Sequence, residues 1–268
     1  MTHDFDENQI LDLTRRLADA AWSAIQPHFR TDVETANKAS GAAYDPVTLA
    51  DKAGEEAIRA ILKAERPDDG IDGEEFGRHE GKSGWTWLLD PIDGTRAFIA
   101  GLPVWTTLIA LVDPDGTPVV GLIDQPVIGE RYIGGPSGST LETAKGRTPL
   151  RVSSCKDLRQ AIIATTDPFI MTPAEQGAWT HLRATARVTR YGLDAYAYAR
   201  LAGGTIDLVC ETGLQPHDVA ALVPVVRGAG GIARDWRGNE AKLGQQIVCA
   251  ASEEVFEQAF LSLRRSAV

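Results

Sequence analysis

The stretch Trp87-Leu-Leu-Asp-Pro-Ile-Asp-Gly-Thr95 constrains this chain more than any other. An apolar run of strand character, Trp85 to Leu89, delivers Asp90 at its end. Pro91 fixes one backbone torsion and removes a donor. Asp93 follows three residues after Asp90, and then Gly94 and Thr95. Two carboxylates leaving one strand end can converge, and without a cation they repel. Hard oxygen ligands of this kind suit Mg²⁺. Gly94 and Thr95 open a predicted helix, whose first amides would bind an anion such as phosphate. The plainer alternative is a turn with solvated Asp side chains, which a short motif alone does not exclude.

Composition narrows the partners. The 37 acidic residues outnumber the 27 basic ones, for a net charge of −10. Broad nucleic-acid binding needs basic surface to displace counterions, so none is expected. The acidic balance is compatible with a site that gathers carboxylates around cations. No apolar run approaches the length of a membrane span, and the first residues carry neither a basic nor an apolar signal region. Cys155, Cys210 and Cys249 are too widely spaced for a zinc site or a disulfide framework. Reduced thiols in a cytoplasmic protein are the expectation.

At roughly 150 residues per domain, 268 residues allow one large domain or two smaller ones. Helical spacing of Ile10, Leu13, Leu17, Ala20, Ala21 and Ala24 predicts a helix over 6–29. Residues 31–47 are polar and read as a loop. A second helix starts near Thr48, with Pro67 after its end. Strands are expected at 106–112, 119–123 and 131–133, with a type I turn at Asp113-Pro-Asp-Gly116. The second half alternates. Strands are expected at 161–165, 187–191, 206–210, 232–235 and 247–250, and helices at 173–186, 194–202, 218–229 and 253–263. Pro224 should kink or break the third of these helices. The fold class is therefore mixed, α+β followed by α/β. The composition shift near residue 145 suggests domains 1–145 and 146–268.

Other acidic clusters surround the central motif in sequence. Gly73-Glu74-Glu75 taken alone reads as surface charge. Thr48 and Asp51 make a capping pair. Asp218, in Gln215-Pro-His-Asp218, starts a helix and favours its dipole. Gly134 to Thr140 is rich in Gly and Ser, but it lacks the lysine of a P-loop and reads as a connection.

In this order, Pro46-Val-Thr-Leu-Ala-Asp51, Gly73-Glu-Glu75, Asp90-Pro-Ile-Asp-Gly-Thr95 and Asp218 before an Ala-rich helix ending in Gly-Ala-Gly-Gly231, the chain resembles the inositol monophosphatase superfamily over residues 10–260. The run from Asp90 to Trp105, Tyr191 to Tyr198, Ile206 to Glu211 and Ala220 to Pro224 is most similar to the histidinol-phosphatase branch. Leu193 and Ala195 depart from that branch, where Gly and Cys are expected. So does His217, where an aromatic residue is usual.

The resemblance implies a layered αβαβα sandwich and a homodimer. It implies that Glu74, Asp90, Asp93, Asp218 and the carbonyl of Ile92 ligate two or three Mg²⁺ ions. Asp51, Glu74 and Thr95 would be catalytic, with Asp51 and Thr95 holding the attacking water. The Gly94 and Thr95 amides would take the phosphate. Asp194 and Glu211 would face the leaving group; their plainer roles are a helix N-cap and an exposed strand end. The implied reaction is hydrolysis of a small phosphate monoester, L-histidinol phosphate first and inositol or sugar phosphates as the alternative. A metal-binding protein without turnover is the competing class. The presence of Asp51, Glu74 and Thr95 beside the metal ligands argues against it, since a pure binder needs no water-activating set.

Overall fold

The computed structural model describes residues 5–31, 35–37, 46–241 and 243–268, with backbone alone at 35–37, 46 and 47. Helix α1 spans Glu7–Ile25, and the Asp6 carboxylate caps it by accepting from the Asn8 and Gln9 amides. Strands β1 (Thr35–Asn37) and β2 (Pro46–Thr48) pair antiparallel, so the segment expected as loop contains a small ribbon. Asp45 lies outside the described residues. Helix α2 spans Leu49–Glu65, with Thr48 and Asp51 forming the expected capping box.

The first sheet then builds from β3 (Gly70–Gly73), β4 (Gly77–His79) and β5 (Thr86–Asp93). The short helix α3 (Thr95–Ile99) follows, and then β6 (Thr106–Val112), β7 (Pro118–Gln125), β8 (Glu130–Gly135), β9 (Gly138–Thr143) and β10 (Gly146–Pro149). Their order is β10-β9-β8-β7-β6-β5-β3-β4, and only β3 and β5 run parallel. Lys145 lies in the turn between β9 and β10. The second sheet comprises β11 (Ile162–Ala164), β12 (Val188–Arg190), β13 (Leu208–Leu214), β14 (Ile232–Arg234) and β15 (Gln245–Ala250), in the order β12-β11-β13-β15-β14. Helices α4 (Pro173–Thr185), α5 (Tyr196–Ala202), α6 (Pro216–Ala220), α7 (Leu222–Gly228) and α8 (Glu253–Leu263) complete the chain.

Alternation along β5 sets the layers. Trp87 and Leu89 face a core shared with α1 and α2. Leu88 faces the opposite core, where Ala197, Leu201, Leu222 and Val226 lie between the first sheet and Val209, Ile247 and Cys249 of the second. Trp179 of α4 and Phe256 of α8 cover the outer face of that second sheet. The result is the layered αβαβα sandwich.

The predicted 218–229 helix is two helices. Pro224 has no amide to give to the carbonyl of Ala220 and its ring crowds that position, and the chain breaks at Ala221 between α6 and α7. The break sits on Gly121 of β7, where any Cβ would come within 2.2 Å of the Ala221 carbonyl oxygen. Pro224 itself rests on Gly134 of β8. Bare backbone at these two strand positions lets α6 and α7 approach, which carries Asp218 to the end of β5.

Candidate active site

Strand β5 does not stop at Leu89; it continues through Asp93. Proline is tolerated in this interior strand because β5 has run past β3, whose last partner is Leu89. The register with β6 also shifts between Asp90 and Asp93. In that bulge the Thr107 hydroxyl donates to the Pro91 carbonyl at 2.7 Å, and the Ile92 amide donates to Asp90 Oδ1 at 3.0 Å. Asp90 and Asp93 are thereby turned to one place. Asp218 arrives from the first turn of α6, its Oδ2 accepting from the Gln215 amide at 2.7 Å.

Asp90, Asp93 and Asp218 each offer an oxygen, and these oxygens lie within 4.8 Å of one another. Glu74 joins them, because the parallel pairing of β3 with β5 sets Gly73 beside Leu89 and the Glu74 amide donates to the Leu89 carbonyl. Together they line a cleft of about 380 Å³, with Ile92, Gly94, Thr95, Asp194 and Glu211. Burial pushes the Asp90 carboxyl well above the usual carboxylate range, with Glu74, Asp93 and Asp218 adding to the rise. Asp93 is raised in the same way by burial, then by Asp194 and Asp218. Like charges this close favour a bound cation.

Asp51 does not line the cleft. It lies behind Thr95, 1% exposed, and its Oδ2 accepts from the Thr48 amide and hydroxyl at 2.8 and 2.6 Å. Its other oxygen, Oδ1, stands 3.5 Å from the Thr95 hydroxyl, which donates to the Ile92 carbonyl at 3.1 Å. The cap role and the approach to Thr95 are therefore both present in one carboxylate.

The plainer readings of Asp194 and Glu211 are corrected. Ala195, not Asp194, is the residue before α5. Asp194 takes a left-handed conformation at φ 48° and packs its carboxyl over Gly94. Burial raises it to about 6, against the pull of Arg96. Glu211 is no exposed strand end. It sits inside β13, 6% exposed, accepting from the Thr166 amide at 2.8 Å and the Tyr198 hydroxyl at 3.2 Å. Burial pushes it up to about 7.

Sequence reasoning missed Arg96, Thr166 and Asp167, all of which line the cleft. Arg96 Nη1 comes within 3.6 Å of Asp167 Oδ2, joining the α3 side to the β11 side. Their signal was available. Thr166 and Asp167 follow the predicted strand 161–165, and residues just past a parallel strand's carboxyl end commonly build sites. The Gly134–Thr140 segment stays apart: it forms the β8–β9 turn, where the Ser137 amide and hydroxyl donate to Glu7.

A layered sandwich thus gathers clustered carboxylates at a bulged strand end, beside a helix start. The chain belongs to the inositol monophosphatase family, whose model matches residues 6–268. It is 40% identical over 258 residues to the bifunctional phosphatase IMPL2, chloroplastic, of Arabidopsis thaliana, covering 92% of this chain and 72% of that one. It is 38% identical over 234 residues to the histidinol-phosphatase of Streptomyces coelicolor, covering 82% and 84%. The solved structure of an inositol monophosphatase from Zymomonas mobilis superposes with a TM-score of 0.85 at 38% identity, covering 97% of this chain and all of that one. Family membership supports phosphate monoester hydrolysis. Among the described residues, no helix is long and apolar enough to cross a membrane.

Proposed function

We propose that this chain is a Mg²⁺-dependent phosphatase whose substrate is L-histidinol phosphate, releasing L-histidinol and phosphate. The observation that carries the reading is the convergence of Asp90, Asp93 and Asp218 in a cleft that Asp194 and Glu211 also line. A phosphate monoester is dianionic and hydrolyses very slowly unaided, so a site must supply positive charge and position. The donor set fits Mg²⁺: all are hard oxygens, and Asp90, Asp93 and Asp218 bring theirs within 4.8 Å of one another. Glu74, Asp90, Asp93, Asp218 and the Ile92 carbonyl would hold two or three ions. When bound, Mg²⁺ neutralises phosphate charge and acidifies water.

The chain's own groups do the rest. The Gly94 and Thr95 amides orient the phosphate at the start of α3. The Thr95 hydroxyl, its proton directed to the Ile92 carbonyl or to Asp51, presents lone pairs to the attacking water. Glu74 draws the proton from that water, while Asp51, behind Thr95 and outside the cleft, orients the Thr95 hydroxyl that holds it. Asp194 and Glu211 recognise the leaving group, whose ammonium and imidazole distinguish it from a sugar. A homodimer in the cytoplasm, divided near residue 145 into an N-terminal part bearing most metal ligands and a C-terminal part completing the cleft, belongs to the same reading.

Inositol 1-phosphate is the second reading, favoured by the Zymomonas mobilis neighbour at the same 38% identity as the Streptomyces histidinol-phosphatase. Phosphate release from histidinol phosphate, inositol 1-phosphate and fructose 1,6-bisphosphate, with and without Mg²⁺, separates them by kcat/KM. No Mg²⁺-dependent release from any of the three would overturn the reaction class. Preference for inositol 1-phosphate would overturn the substrate.

A further inference from the structure

The turn that carries Glu74 is held from behind by a second glutamate. Glu55 of α2 is completely buried. Its Oε2 accepts from the Glu75 amide at 2.8 Å, and its Oε1 accepts from the Phe76 amide at 3.2 Å. Arg59, one helical turn further along α2, donates from Nε to Glu55 Oε1 at 2.6 Å and from Nη2 to the Gly77 carbonyl. The carboxylate fits so closely against the turn that a Cβ on Gly73 would fall 2.1 Å from Oε1. Gly73, Glu75, Phe76 and Gly77 are thus each touched by the Glu55–Arg59 pair. Glu74 opens this turn, directly after Gly73, and lines the cleft.

The placement on α2 matters as much as the bonds. Asp51 and Glu55 are four residues apart and share one face of the helix. Asp51 reaches towards Thr95, and Glu55 grips the turn of Glu74. Between them Gly54 lies against Pro91, where a Cβ would come within 3.0 Å of the proline Cβ. One helix face therefore locates both the Thr95 side and the Glu74 side of the cleft against the same strand end. A buried carboxylate that accepts two backbone amides and a guanidinium is a rigid brace, because withdrawing either partner strands a desolvated charge.

We propose that Glu55 is a positioning residue for metal binding. It acts through Glu74, by fixing the Gly73–Gly77 turn, and touches neither ion nor substrate. The proposal rests on the Mg²⁺ reading above. It explains why α2, which contributes no side chain to the cleft lining, packs so tightly behind it.

The test is a double-substitution cycle on Glu55→Gln and Glu74→Gln in the full chain, read by calorimetric titration with Mg²⁺ alone and by steady-state kinetics. A Gln keeps the shape but gives up the charge and one acceptor. Glu55→Gln should weaken Mg²⁺ binding by at least about tenfold, within the range for groups that orient metal ligands. The substrate KM at saturating Mg²⁺ should stay within about twofold. In the Glu74→Gln background the same change should cost less than about twofold, since the residue it acts through is already gone. Amide exchange at Glu75 and Phe76, followed in chelator, should accelerate in Glu55→Gln. Should Glu55→Gln fold poorly, Arg59→Lys loosens the same brace more gently and should shift Mg²⁺ binding in the same direction. Unchanged Mg²⁺ affinity in the folded variants, or an undiminished loss on top of Glu74→Gln, would overturn the proposal alone. A wild-type chain that binds no Mg²⁺ would overturn it together with the proposed function.

Discussion

The backbone amide of Ala195 donates to Asp93 Oδ2 at 2.7 Å, across 102 residues of chain. This bond ties the end of β5 to the start of α5 and seats Asp194 directly over Gly94. The strand end that carries Asp93 and the turn that carries Asp194 are thus locked together by one hydrogen bond.

Removing a central carboxylate should separate activity from stability. Asp90→Asn or Asp93→Asn deletes a hard ligand but also relieves repulsion among buried acids raised by one another. Mg²⁺-dependent kcat should fall at least about a hundredfold, more than for an outer partner. The Tm in chelator should hold or rise. Near wild-type kcat at ordinary Mg²⁺ would remove these residues from the site.

Asp51 and Thr95 should behave differently from each other. Asp51→Asn disturbs the cap on α2 and should cost about 1 kcal/mol of stability, along with a fall in kcat. Thr95→Ala should lower kcat without a comparable drop in Tm, because its hydroxyl braces no helix. Mg²⁺ affinity should move less than kcat in both. A loss of Tm alone for Asp51→Asn would reduce it to a cap.

Gly94→Ala tests the seat of Asp194. At φ 86° an alanine is strained, and its Cβ would stand 3.1 Å from the Asp194 carboxyl. The strain should cost about 1–2 kcal/mol. The displaced Asp194 should also lower kcat/KM. Tm and kcat/KM both matching wild type would show that the contact is dispensable.

Asp194→Asn keeps the shape, and Asn is among the residues that tolerate a left-handed conformation. A charge-assisted contact to an ammonium is worth roughly 1.5–3 kcal/mol. The change should therefore lower kcat/KM for histidinol phosphate at least about tenfold while sparing p-nitrophenyl phosphate. Equal losses on both substrates would make Asp194 structural.

Metal-free stability should fall as pH rises. Glu211 ionises at 4.5 when unperturbed and at about 7 in the folded chain, so between those values the native state holds more protons than the unfolded one. Stability then declines with pH across that window and levels off above it. Asp90, Asp93 and Asp194 pull in the same direction. Tm in chelator should drop from pH 5 to pH 7.5, Glu211→Gln should flatten the drop, and Mg²⁺ should reverse it at pH 7.5. A Tm that climbs over this range in chelator, unaltered by Glu211→Gln, would refute the assignment.

Local chemistry was legible wherever a single element carried it. The spacing of apolar residues marks α1, the Thr48–Asp51 pair marks the start of α2, and Glu253–Leu263 matches its predicted helix in full. Asp90, Asp93 and Asp218 stand out because each follows an apolar run or opens a helix. The paired strands β1 and β2 and the split at Ala221 were less legible, since each depends on a neighbour far along the chain.

Only the tertiary structure decided which acids share an environment. Glu211 reads as a strand end until β13 is seen extending past it, with Thr166 and Tyr198 closing over its carboxylate. Glu55 carries no sequence signal of its own within the helix that starts near Thr48, and only the parallel pairing of β3 with β5 brings the Glu74 turn onto it. Periodicity and capping act over three or four residues and are written directly in the order of side chains. The desolvation that raises Asp90, Asp93 and Glu211 comes from strands and helices that meet only after the sheet order is set. No local pattern specifies that order, so their shared burial, and the cleft it makes, belongs to the fold.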